Sequence, residues 1–138
     1  MLFGAVAGHA GAAPEALVTY RVEGDAIVES LAQPGDASRG RDVLVGRDGN
    51  CLLCHAVPEV GKRFMGNLAP ALSGVGSRLS AGQLRLRIVD TMRLNRDTIM
   101  PSYYRVGGLT RVAEAWRGKP ILTAQQVEDL VAYLQTLR

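Results

Sequence analysis

Cys51-Leu52-Leu53-Cys54-His55 decides how this chain is read. Two cysteines spaced C-x-x-C with a histidine directly after the second form the attachment signal for a c-type haem. On a helical turn, two thiols at this spacing each reach one vinyl group of the porphyrin and become thioethers. The next residue then points its imidazole at the iron as the proximal ligand. Two other readings compete. Structural zinc needs four closed ligands, but the chain has only these two cysteines and one further histidine, His9. A thioredoxin-like pair needs a βαβ context, which the sequence lacks. The expected cofactor is one covalently attached haem c, and the expected chemistry is electron handling.

The 138 residues suit one compact domain. Hydrophobic residues make up 47% of the chain but aromatic residues only 5%, so a buried macrocycle would supply an apolar nucleus that the side chains lack. With both cysteines spent on the motif, no disulfide forms beside the haem and no free thiol remains as a nucleophile. Residues 1–13, MLFGAVAGHAGAA, are apolar and end like an export signal with an A-x-A-like site, without a basic n-region. They read as a truncated export signal, or alternatively as a disordered tail, and are too short to span a bilayer. Haem attachment of this kind implies the oxidising, exported side of a bacterial membrane, so a periplasmic location is expected. No other segment reads as a membrane helix.

Outward from the motif, the pattern is helical. Residues 14–35 contain the β-prone run Leu17–Val22 and are expected to form an extended arm. Asp36 is placed to cap a helix over 37–45. Ala56 to Ser77 holds Pro58, Gly61, Gly66, Pro70, Gly74 and Gly76 and reads as a loop whose backbone approaches the porphyrin edge closely. Ser80-Ala-Gly-Gln83 is a capping box that opens a helix to about Met92. Thr123-Ala-Gln-Gln126 is a second one, followed by Val127, Leu130, Val131, Leu134 and Leu137, the stripe of an amphipathic helix. The expected fold is all-α: three helices joined by long loops around a haem, over residues 36–138, as in class I cytochromes c.

The second axial position separates an electron carrier from a ligand-binding haem. Met65, Met92 and Met100 are the candidates besides Met1. Met65 follows His55 by only ten residues, a short path around the porphyrin. Met92 sits on a helix, where methionine commonly fills core space. Met100 lies 45 residues past His55 in a non-helical segment, and Pro101 stiffens the turn that presents it. Met100 is the favoured ligand. Histidine–methionine ligation raises the potential and leaves no open position, which disfavours a peroxidase-like enzyme.

With these residues in view, the chain from about Gln33 to Arg138 resembles SoxX, the mono-haem cytochrome c subunit of the thiosulfate-oxidising Sox system. The resemblance rests on CLLCH at 51–55, GNLAPALSGVGSRLS at 66–80, RLNRDTIMPSYYRV at 93–106 and WRGKPILTAQQVEDLVAYL at 116–134. The segment containing Met100-Pro101-Ser102-Tyr103-Tyr104 is its most specific part. It implies a heterodimer with a SoxA-type cytochrome subunit, a SoxYZ-type carrier whose cysteine is joined oxidatively to thiosulfate, and a downstream cytochrome that takes the electrons. It also implies that Cys51 and Cys54 hold the haem, that His55 and Met100 ligate it, and that the Pro70 carbonyl meets the other nitrogen of His55. Since both cysteines are committed, any sulfur nucleophile must sit on the partner. This chain would then be the haem subunit of an L-cysteine S-thiosulfotransferase, and its electron outlet.

Charge is unevenly spread. Residues 1–50 carry four basic and seven acidic side chains, whereas residues 51–138 carry twelve basic and six acidic. Arg78, Arg85, Arg87, Arg93, Arg96, Arg105, Arg111, Arg117 and Lys119 supply most of the excess. The readings are a solvated surface, docking to an acidic partner, or steering of an anion. Nucleic acid is disfavoured, as no aromatic platform or recognition motif accompanies the charge. Tyr103, Tyr104 and Trp116 are expected either against the porphyrin or on a rim facing a partner.

Overall fold

The computed structural model describes residues 16–138. The export-signal reading of residues 1–13 therefore lies outside the described residues.

Capping chemistry sets where each helix starts. Asp36 Oδ1 accepts from the Arg39 backbone N–H at 2.8 Å and opens α1 (Ala37–Val45). A one-turn helix, α2 (Val75–Arg78), closes the long loop that was expected to lack structure. Ser80 and Gln83 form the reciprocal capping box at the head of α3 (Ala81–Asp90). Thr123 and Gln126 do the same for α4 (Ala124–Thr136). Each box satisfies two N–H groups that the helix itself cannot. α3 stops short of Met92, and the chain tightens into a 3₁₀ turn over Thr91–Arg93. Among the described residues the β-pairing is one isolated bridge, Glu23 with Ala26, so the fold is all-α.

The apolar stripe of α4, with Val127, Leu130, Val131 and Leu134, joins Leu44 of α1 and Leu84, Ile88 and Val89 of α3 in one core. Where α1 meets α4, Gly40 faces the backbone carbonyl of Asp129 and the Cβ of Tyr133 so closely that any side chain would collide. Alanine ordinarily favours a helix over glycine by about 1 kcal/mol. Here overpacking is the larger effect, and Gly40→Ala is expected to lower the unfolding free energy by about 1–3 kcal/mol in a denaturant titration.

The other flank of α4 is acidic and equally buried. Glu128 receives the Arg85 guanidinium in a fork, Nε to Oε1 at 2.7 Å and Nη2 to Oε2 at 2.8 Å, and also the Leu31 backbone N–H at 2.9 Å. Arg85 Nη1 donates to the Ile27 carbonyl at 2.6 Å. One ion pair thus ties the N-terminal segment to α3 and α4. Arg85, counted above with the surface cations, is only 4% exposed and has an internal partner. That is a correction to the charge reading.

Asp129 performs the matching task at α1. It accepts from the Asp36 backbone N–H at 2.8 Å, from Arg39 Nε at 2.7 Å and Nη2 at 2.8 Å, and from Gln125. Burial pushes its carboxyl upward, but these donors outweigh burial and hold it below the usual aspartate value. A depressed folded-state value means that the stabilisation is fully present above the unfolded pKa of about 3.9. It is lost as pH falls through the lower folded value. Asp129→Asn is therefore expected to flatten the acid limb of a stability-versus-pH curve while lowering stability at neutral pH.

Candidate haem site

The motif residues form a tight turn. Cys51–Leu53 is a 3₁₀ helix entered through Asn50 in the left-handed region at φ +46°, which asparagine tolerates better than most residues. The His55 N–H donates to the Cys51 carbonyl at 2.9 Å. The following loop folds back along this turn through three backbone bonds: Gly66 N–H to Leu52 O at 2.7 Å, Ala69 to Cys54 at 3.0 Å and Leu72 to Ala56 at 2.9 Å. Gly66 sits against the backbone of Leu53 and Cys54, where no side chain fits. The loop's glycine therefore serves close backbone packing against the motif.

This arrangement brings the Pro70 carbonyl to 2.6 Å from His55 Nδ1. With Nδ1 donating to that carbonyl, Nε2 is left bare as a ligand. His55, Cys51 and Cys54 line a cavity of about 610 Å³ together with Met100 and apolar groups that include Leu72, Leu84 and Ile88. That volume falls within the range of about 300–1,000 Å³ usual for cofactor pockets. Burial pushes the Cys51 thiol up to about 11. The donor set and the cavity fit a c-type haem.

Of the three candidate methionines, Met100 lines the cavity, whereas Met65 and Met92 do not. The Met65 sulfur instead accepts from the Val57 backbone N–H at 3.1 Å. The Met100 loop is held from several sides. Its N–H meets Thr98 Oγ1 at 3.1 Å, and the Tyr103 N–H donates to the Ile88 carbonyl at 3.0 Å. Ser102 Oγ donates to Asp90 Oδ1 at 2.9 Å, and Arg105 Nη1 lies 3.2 Å from the same oxygen. Asp90 is 1% exposed, a buried carboxylate at the end of α3 that anchors the loop beyond Met100. Tyr103 donates its hydroxyl to the Gly49 carbonyl at 2.6 Å, joining this loop to the residues just before the motif. Burial raises that phenol to about 12, so it remains a donor.

The aromatic residues divide. Tyr103 is buried and lines the cavity, and Tyr104 is buried with its hydroxyl accepting from the Val18 N–H at 2.9 Å. Trp116 lies elsewhere, 52% exposed. Sequence reasoning missed Asp90 and the Tyr103–Gly49 bond. The only available hint was an acidic residue at the last position of the helix.

Comparisons with known proteins give the family and the fold. The family model for cytochrome c matches residues 37–138. A chain of the crystal structure of SoxXA from P. pantotrophus superimposes with a TM-score of 0.77 and 37% identity, over 87% of this chain and 93% of that one. Among curated proteins no match was found. The chain belongs to the cytochrome c family, as a SoxX-type cytochrome that carries a covalently bound haem c.

Proposed function

We propose that this protein is the electron-transfer subunit of a SoxAX-type complex that oxidatively couples thiosulfate to a carrier-protein cysteine. The observation that carries the proposal is the convergence of Cys51, Cys54, His55 and Met100 on one apolar cavity, in a chain similar to one of SoxXA. In this reading Cys51 and Cys54 would hold the haem, and His55 and Met100 would ligate its iron. When bound, the haem supplies a one-electron carrier. The protein's own residues orient and shield it. The Pro70 carbonyl fixes the His55 ring, the Asp90–Ser102–Arg105 cluster holds the Met100 loop, and mostly apolar groups line the cavity between them.

The arm at 14–35 and the domain at 36–138 then act as one electron-carrying unit in the periplasm. A SoxA-type subunit is the proposed permanent partner, with a SoxYZ-type carrier as substrate protein and a separate cytochrome as acceptor. Leu53, Phe64 and Leu68 are 65%, 84% and 70% exposed. Leu53 lies in the motif turn, and Phe64 and Leu68 lie on either side of Gly66 in the loop that packs on it; exposed apolar side chains there support a protein partner. Among the described residues no helix is long and apolar enough to cross a membrane.

The test is co-expression with a SoxA-type subunit under periplasmic haem maturation. Stable co-purification and thiosulfate-dependent reduction in the presence of SoxYZ are expected. A chain that matures with haem but never associates would instead be a free-standing electron shuttle.

A further inference from the structure

A second cavity, of about 770 Å³, shares no residue with the haem cavity. Its lining includes Arg47, Arg105, Arg111, Arg117 and Lys119 against a single acid, Asp48. Arg47, Arg111 and Arg117 are exposed and make no ion pair among the described residues. Trp116, the only tryptophan of the chain, stands in the same groove at 52% exposure, and Leu109 and Ile121 are each 39% exposed. Arg111 is held in the left-handed region at φ +59°, a conformation that non-glycine residues rarely adopt. The Nε–H of Arg105 is buried and has no acceptor among the described residues.

These features define an occupant. A groove of about 770 Å³ is far larger than a small inorganic anion, which would leave most of it empty. An exposed tryptophan flanked by arginines is the composition of a protein-binding hot spot. Permanent subunit interfaces are more apolar and exclude charge from their centres. Five cations around one tryptophan instead suit a partner that is captured by charge and released again. Within the proposed complex, the apolar patch at Leu53, Phe64 and Leu68 suits the permanent subunit, while the electron acceptor must come and go.

We propose that the Trp116 groove is the docking site of the exchanging electron acceptor, whose matching surface is acidic around one apolar side chain. This rests on the electron-transfer reading above. The groove borders the Met100 loop: Ser102 and Arg105 line it and bind Asp90, and Arg47 and Asp48 lie just before the motif in sequence.

The experiment is stopped-flow oxidation of the reduced holoprotein by a small acidic blue-copper protein, at low and at high salt. Wild type is compared with Arg111→Glu/Arg117→Glu and Trp116→Ala, and with Lys62→Glu, an exposed lysine outside the groove. Steering by complementary charge contributes about 10–10³-fold to association rates. The double variant is therefore expected to lose at least about tenfold at low salt and to approach wild type at high salt. Trp116→Ala is expected to lose rate at both, and Lys62→Glu to change little. An equal loss in Lys62→Glu, no loss in the double variant, or a loss in it that survives high salt would overturn the proposal. So would failure of the groove variants to co-purify with the SoxA-type subunit, which would make the groove the permanent interface. If wild type itself does not associate with that subunit, membership of the complex fails while the groove test stands.

Discussion

Glu128→Ala is expected to lower the unfolding free energy of the holoprotein by about 3–5 kcal/mol, read from urea titration followed by circular dichroism. Removing one partner of a buried pair leaves the other charge uncompensated in low dielectric, and this penalty is among the largest available to a single substitution. Arg85 is 4% exposed and has no route to solvent that keeps its bonds to Ile27 and Glu128. The Leu31 N–H would lose its acceptor in the same step. Replacing both members, as Arg85→Met with Glu128→Leu, is expected to recover much of the loss, because apolar groups of similar volume often replace a buried pair without penalty. The Ile27 carbonyl and Leu31 N–H left without partners would limit that recovery. A single-variant loss below about 1 kcal/mol would mean that the pair is solvated.

Met100→Ala is expected to abolish the far-red sulfur-to-iron absorption band of the oxidised protein and to lower the midpoint potential by on the order of hundreds of millivolts. Axial ligands set haem potentials over a range of about 0.8 V, and a thioether lies at the high end of it. The opened position should also bind added imidazole, which wild type resists. Met65→Ala is the control. Its sulfur accepts from the Val57 N–H and lies outside the cavity lining, so it should leave both band and potential unchanged. Potentiometry and imidazole titration of the three proteins check this directly.

Much of this architecture was legible because it is written locally. Asp36, Ser80 and Thr123 announce the starts of three helices through the hydrogen-bonding needs of the first turn. The stripe from Val127 to Leu134 marks which face of α4 turns inward. The haem motif is also local, five residues whose spacing follows from porphyrin chemistry. Met100 could be favoured by chain length and by Pro101, and it lies in the cavity lining.

What escaped was non-local. Nothing near Arg85 in sequence says that its partner lies 43 residues on in α4, so it was counted with the surface cations. Glu128 and Asp129 sit between Val127 and Leu130 as ordinary polar helix positions; only the approach of the arm, α1 and α3 buries them. The same holds for Tyr103 reaching Gly49 across 54 residues, and for Asp90 fastening Ser102. The one-turn α2 was hidden inside a glycine- and proline-rich stretch, where a single helical turn leaves no periodic trace. Trp116 kept two readings, since exposure depends on what packs nearby, and it emerged on a groove separate from the haem cavity.

The most direct measurement is the visible spectrum of the wild-type protein matured in a periplasm, oxidised and reduced, with a pyridine haemochrome assay after denaturation. A low-spin c-type spectrum, a far-red sulfur band in the oxidised form, and haem that stays with the denatured chain are the results expected for attachment at Cys51 and Cys54 with His55 and Met100 as ligands. A colourless protein, haem that extracts into solvent, or a high-spin five-coordinate spectrum would contradict that assignment.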